Sequence, residues 1–81
     1  MTEQEITDLG FEKVIVTNEE SQNGYDYYYY MLKLVEGLSL RSSDSVDSTG
    51  TNWFVLNDDW PKVKITRKED VAILIELAHS W

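Results

Sequence analysis

Three pairs of adjacent carboxylates are the residues of this chain whose types and spacing could support general acid–base catalysis. They are Glu19-Glu20, Asp58-Asp59 and Glu69-Asp70. A general acid needs a carboxylate that is desolvated beside a second one in a cleft. These pairs lie in predicted turns or at a predicted helix start, where water is abundant. We therefore expect no catalytic residue among them.

Nucleophilic catalysis and metal binding have weaker support. The one histidine, His79, is followed by Ser80 near the end of the chain, where chains fray and where nothing is expected to activate the serine. A segment that begins at Ser45 faintly resembles a calcium loop, but its twelfth position is Leu56 instead of a bidentate Glu. The chain has no cysteine, and its glycines are dispersed. We expect no metal site and no cofactor.

The segment Tyr25–Tyr30 holds all five tyrosines of the chain within six residues. Aromatic residues favour strands, and the side chains of a strand alternate between the two faces of a sheet. Tyr28 and Tyr30 then share a face with Leu32 and Leu34. We assign that face to the core under the helices. The other face must be covered by something or used for something.

This second sheet face is the predicted partner-binding surface. Alternation places Tyr27, Tyr29 and Met31 on it, and Trp53 from a later strand is predicted to join them. Tyr, Trp and Met are enriched in the cores of protein interfaces, and large exposed apolar patches usually mark binding sites. The alternative is that the tyrosine rings simply pair across strands and keep their hydroxyls in water.

One helix at each end of the chain must position these strands. Thr2 and Glu5 form a predicted capping box for a short first helix that stops at Gly10. A second predicted box, Thr66 to Glu69, begins the last helix. Apolar residues then follow at i, i+3, i+4 and i+7, namely Val71, Leu74, Ile75 and Ala78.

Five strands are predicted between the helices, and their short connections favour an antiparallel meander. The strands are Phe11–Thr17, Tyr25–Val35, Leu38–Ser43, Trp53–Leu56 and Lys62–Ile65. Asn23-Gly24 is a predicted turn, and Pro61 is the predicted close of the last turn. The serine-rich stretch 42–52 is predicted to be either a mobile loop or a strand end with a mobile tip. Both helices are short or amphipathic, so they share one sheet face. The prediction is a single two-layer α+β domain spanning residues 1–81.

Composition limits the partners and the location. The 81 residues carry a net charge of −8, from 15 acidic and 7 basic residues. Such a charge argues against direct binding to nucleic acid or to an anionic membrane, because both are polyanions. No stretch approaches the roughly 20 apolar residues of a membrane span. The first residues are acidic and unlike a signal peptide, so we expect a cytoplasmic protein.

Fold-pattern residues give the chain a resemblance to a class of small proteins. These residues are Leu9-Gly10-Phe11-Glu12, the tyrosine-rich strand, Leu38-Ser39-Leu40, Trp53-Phe54-Val55 and Lys64-Ile65-Thr66, followed by a leucine-rich helix. In this order they resemble small uncharacterised proteins encoded by bacteriophages and prophages. The resemblance implies no activity. Small acidic phage proteins include inhibitors of host defence, and some of these imitate DNA.

The leading hypothesis from the sequence is a non-enzymatic protein-binding module, such as a phage-type inhibitor of a host factor. It would use the aromatic sheet face and the acidic surface. The alternative is a homo-oligomeric structural protein that associates through its sheet. A third hypothesis is an acidic DNA mimic, whose binding to a basic protein would weaken steeply with salt.

Overall fold

A computed structural model describes residues 1–22 and 24–80 of the chain. Three helices and five strands follow one another along it. They are α1 (Glu3–Asp8), β1 (Glu12–Val16), α2 (Asn18–Ser21), β2 (Tyr27–Val35), β3 (Leu38–Ser42), β4 (Val55–Asn57), β5 (Trp60–Ile65) and α3 (Lys68–His79). The strands form one antiparallel sheet in the order β1-β2-β3-β4-β5. The predicted α+β architecture is confirmed.

The core lies between one face of the sheet, here called the inner face, and the helices α1 and α3. Both helices contribute to one apolar cluster, which consists of Met1, Ile6, Phe11, Tyr30, Leu34, Leu40, Trp53, Val55, Val71 and Ala78. The opposite face is called the outer face. Because the two helices cover the same face, β2 needs one apolar set of side chains for the core and leaves the other set free.

The long strand β2 has the predicted orientation. Tyr30 and Leu34 are buried in the core, and Tyr28 and Leu32 pack against it. The pairing of Val14 with Tyr29 and of Val16 with Tyr27 fixes the register with β1. A shift of one residue would turn every apolar side chain of β2 to the wrong face, so this register is strongly specified.

The predicted capping box at the start of α1 is present. The backbone N–H of Thr2 donates to the Glu5 carboxylate at 2.8 Å, and the Thr2 hydroxyl accepts from the Glu5 backbone N–H at 3.2 Å. The first of these hydrogen bonds is the main reason that the pKa of Glu5 lies below its usual value. The box directs α1 so that Ile6 is fully buried.

Serine hydroxyl groups at the end of β3 and in the stretch after it accept hydrogen bonds from the backbone of β2. The backbone N–H of Tyr30 donates to Ser42 Oγ at 2.8 Å, and that of Tyr28 donates to Ser45 Oγ at 3.0 Å. Ser45 returns a backbone bond to the Tyr28 carbonyl at 2.8 Å. The stretch, predicted as a mobile loop or as a strand end, thus extends the hydrogen bonding of β2 beyond the end of β3 through Ser45.

Three local predictions need correction. The polar stretch after β1 contains the short helix α2, capped by Thr17, while Asn23 of the predicted turn lies outside the described residues. Strand β5 begins at Trp60 and includes Pro61, which an edge strand tolerates because only one of its sides pairs with another strand. Helix α3 takes Arg67 as its N-cap, without a side-chain cap bond, instead of Thr66.

The Thr66 correction has a physical cause in the backbone. The amino group of Met1 donates to the carbonyl oxygens of Thr66 at 3.2 Å, Trp53 at 2.9 Å and Thr51 at 3.0 Å. The Thr66 carbonyl is thereby used in a tertiary contact that joins the β5–α3 junction to the segment before β4. The helix starts one residue later than the capping-box pattern predicts.

Candidate functional site

The inner face has two halves that differ in how they are closed. The half beneath α1 is called the sealed half and is built around the rings of Tyr28, Tyr30 and Trp53. Tyr28 stacks on Trp53 with ring centroids 6.1 Å apart, and Tyr30 meets Trp53 edge to face at 5.8 Å. Lys13 places its Nζ 4.0 Å from the centroid of the Tyr28 ring. These aromatic contacts fill this end of the core.

One carboxylate of α1 accepts hydrogen bonds from both tyrosine hydroxyls of the sealed half. Glu3 accepts a hydrogen bond from the Tyr28 hydroxyl at 3.3 Å and a short one from the Tyr30 hydroxyl. Burial, strengthened by the adjacent Glu3 carboxylate, raises the pKa of both tyrosines above its usual value, and more strongly for Tyr30. Both phenols therefore remain protonated donors, and this cluster stabilises the fold.

The four residues that the sequence predicts to bind a partner do not all lie on one face of the sheet. Trp53 is only 3% exposed and belongs to the sealed half, so it does not lie beside Tyr27 and Tyr29 on the outer face. Which face of this part of the chain is buried depends on how β3 and β4 pair, and alternation along one strand does not determine it. Ser42 pairs with Val55, which places Val55 on the inner face, and Trp53 follows by alternation.

The rest of the predicted set lies on the outer face. Tyr27 and Tyr29 are half-buried and line a small depression of about 190 Å³ with Arg41, Phe54 and others. Met31 is 36% exposed. Basic side chains cover part of this face, because Arg41 pairs with Asp58 at 2.6 Å and Lys64 Nζ lies 4.8 Å from the Phe54 ring centroid. Tyr27 and Tyr29 thus lie beside other side chains of the same sheet face.

The half of the inner face beside α3 contains an open apolar cavity of about 420 Å³, here called the groove. Its walls come from the β2–β3 hairpin, from β4 and β5, and from the last turns of α3. They consist of Leu34, Val35, Leu38, Leu40, Asn57, Trp60, Val63, Ile65, Leu74, Leu77 and Ala78. This is the largest departure of the structure from the sequence-predicted site.

The groove is open because α3 covers only part of the sheet. Val71 and Ala78 are buried against the strands, whereas Leu74 and Leu77 reach the cavity and stay exposed. Across from them, Trp60 is 65% exposed and Val63 is 61% exposed. A soluble domain of this size gains free energy by burying such side chains, so a contiguous exposed set requires a functional explanation.

The groove offers no free polar group for catalysis among the described residues. Asn57 is the polar residue in its wall, and its amide is already used. Its Nδ2 donates to the Ser39 carbonyl at 2.9 Å, and its Oδ1 accepts from the Asp59 N–H at 2.8 Å. The surface that remains can exclude water and contact apolar groups, which is the chemistry of a binding site.

Two sequence signals could have revealed the groove. Helix α3 carries apolar side chains at Val71, Ile73, Leu74, Ile75 and Leu77, a wider band than one packed face requires. Trp60 lies just before the predicted strand Lys62–Ile65, and aromatic residues favour strands. The groove itself joins residues from distant parts of the chain, so neither signal locates it alone.

Other kinds of site receive no support from the described residues. They contain no cluster of three or more His, Asp or Glu side chains placed to hold a metal ion. None of the described helices is both long enough and apolar enough to cross a membrane. Comparisons with family models, curated proteins and solved structures find no match. The functional argument therefore depends on the geometry of the groove and of the outer face.

Proposed function

We propose that this protein is a non-enzymatic binding module that holds an apolar segment of a partner protein in the groove. The observation that carries the proposal is the groove itself, about 420 Å³ in volume and walled by apolar side chains from β2, β3, β5 and α3. Exposed apolar surface of this kind is typical of protein interaction sites.

The exposure of the walls favours a macromolecular partner over a small enclosed ligand. Pockets for small molecules commonly bury about 70–90% or more of the ligand surface. Here Trp60, Val63 and Leu77 are each more than half exposed, so the groove would leave a small ligand largely in water. A partner segment covers these walls from outside and supplies the missing contacts.

The test uses two pairs of matched substitutions and a synthetic helical peptide with leucines at i, i+3, i+4 and i+7 and glutamines elsewhere. Val63→Thr and Leu77→Gln alter the groove. Ile15→Thr and Ile73→Gln are their controls, because Ile15 is 61% exposed like Val63 and Ile73 is 53% exposed against 54% for Leu77. Neither control residue lines the groove.

Calorimetry should show peptide binding by the wild type and by the double control variant. The double groove variant should bind about tenfold more weakly or worse, because it loses apolar contact area at both walls. Equal affinities for the two double variants would contradict the proposal. So would a stable dimer, detected by light scattering, whose interface is the groove.

A further inference from the structure

The charges around the groove identify the class of partner, on the assumption that the proposed function is correct. Two hairpin turns flank the groove at the same end of the sheet, since β2–β3 and β4–β5 both reverse the chain there. Glu36 lies in the first turn, and Asp58 and Asp59 lie in the second. Asp58 is paired with Arg41, while Glu36 and Asp59 are exposed.

Glu36 and Asp59 are called the acidic rim. Glu36 directly follows the groove residue Val35, and Asp59 lies between the groove residues Asn57 and Trp60. Both side chains are exposed.

The basic side chains of the protein do not line the groove. Lys33 and Lys62 are exposed, and neither is among the groove residues. The other five contact groups outside the groove: Lys13 over Tyr28, Arg41 on Asp58, Lys64 over Phe54, Arg67 on Glu69 and Lys68 on Glu5. None of the seven basic residues, all of them described, lines the groove.

The edge strand argues for a helical occupant. A partner strand that extends the sheet at β5 would need a continuous row of free N–H and C=O groups. Pro61 lacks an N–H, and the pairing of β4 with β5 shifts register between Val55 and Asn57. A helix needs no such row, because its apolar stripe can enter the groove while its backbone bonds remain internal.

From these observations we infer that the groove binds a basic amphipathic helix of a partner protein. Its apolar stripe contacts Trp60, Val63, Leu74 and Leu77, and its lysines or arginines lie opposite the acidic rim. Such complementarity speeds association and excludes acidic partners, and it weakens as salt screens the exposed charges. A second copy of this chain fits less well, because its net charge is also −8.

Two synthetic peptides test the inference. Both have the leucine stripe used above, one with lysines and the other with glutamates on the remaining face. The lysine peptide should bind about tenfold more tightly in low salt, because two exposed ion pairs replace two contacts between like charges. The preference should shrink as salt is added.

Matched charge reversals locate the effect. Glu36→Lys/Asp59→Lys changes the rim, and Glu19→Lys/Glu20→Lys is the control. Each substitution of an acidic residue by lysine raises the net charge by 2, so each double variant goes from −8 to −4. Helix α2 joins β1 to β2 at the opposite end of the sheet, away from the groove. The rim variant should lose the preference for lysine, and the control should keep most of it.

The outcomes separate this inference from the proposed function. If the wild type binds both peptides equally, or if both charge-reversed proteins behave alike, the basic-helix inference is wrong and the groove remains a binding site. If neither peptide binds, or if the groove is occupied by a second copy, the proposed function itself is wrong.

Discussion

The two halves of the inner face differ in how completely their apolar side chains are buried. In the sealed half, aromatic rings fill the space beneath α1, and the Glu3 carboxylate accepts from both buried tyrosine hydroxyls. In the groove, leucine, valine and tryptophan side chains remain in contact with water beside α3. The first half is closed by its own side chains, whereas the second stays open to water.

This difference shows where the protein obtains its stability and where it can bind. A small domain has little free energy of folding to spare. The sealed half includes fully buried Ile6, and Val55 and Val71 complete the core beside it. The exposed groove residues contribute less to folding, so they are available for contacts with a partner. Substitutions in the sealed half should therefore mainly lower stability, whereas substitutions in the groove should mainly weaken binding.

The largest expected contrast is between two tryptophans. Trp53→Ala should lower the free energy of unfolding by roughly 3–5 kcal/mol, because it leaves a cavity in the sealed half. Trp60→Ala should change it by no more than about 0.5 kcal/mol, since Trp60 is exposed, yet should weaken peptide binding. Urea unfolding and calorimetry measure the two effects. Similar losses of stability in both variants would contradict the division into a sealed half and an open one.

The second contrast concerns the carboxylate of the sealed half. Glu3→Ala should lower the free energy of unfolding by about 1–3 kcal/mol, because it removes the acceptor of two tyrosine hydroxyls. Glu3→Gln retains an acceptor oxygen and should lose less. Glu69→Gln, in the first turn of α3, controls for the helix dipole and should cost about 0.5 kcal/mol. If Glu3→Ala costs no more than this control, the carboxylate does not stabilise the sealed half.

The smallest effect is a dependence on alkaline pH. In the unfolded chain, Tyr30 ionises near pH 10, its usual pKa of about 10. In the folded protein, burial and Glu3 raise that pKa. Above pH 10 the unfolded state loses a proton that the folded state keeps, so the free energy of unfolding falls as pH rises.

Tyr30→Phe isolates this contribution. At pH 7 the variant should be about 1 kcal/mol less stable than the wild type, from the lost hydrogen bond. The difference should begin to shrink near pH 10, the usual tyrosine pKa, and should keep shrinking as the pH rises further, because Phe has no proton to lose. Urea unfolding at several pH values measures it. A difference that stays constant up to the highest pH would contradict the raised pKa of Tyr30.

Local patterns predicted the elements of this fold well. The alternation of Tyr28, Tyr30, Leu32 and Leu34 identified the core face of β2, and Thr2 with Glu5 marked the start of α1. These features depend on neighbours within one strand or one helical turn. The same is true of the apolar repeat of α3, whose Val71 and Ala78 are buried as predicted.

The candidate site depended on contacts that local patterns do not contain. Leu74 was predicted to lie in the core, but α3 leaves it at the edge of the groove. Trp53 was predicted for a binding face, but the β3–β4 register turns it inward. The partner-binding role of Tyr27, Tyr29 and Met31 stays a prediction, as do the resemblance to phage proteins and the inhibitor and DNA-mimic hypotheses.

The most direct test of the central claim is a chemical-shift map of the ¹⁵N-labelled protein titrated with the lysine-flanked leucine peptide. Binding in the groove should cause progressive changes along β5, along the second half of α3 and in the two turns that hold Glu36 and Asp59. Signals of Glu3 and Tyr30 in the sealed half should hardly move. Changes centred on Tyr27 and Tyr29, with no changes at the groove residues, would contradict binding in the groove. They would place the binding site on the outer face.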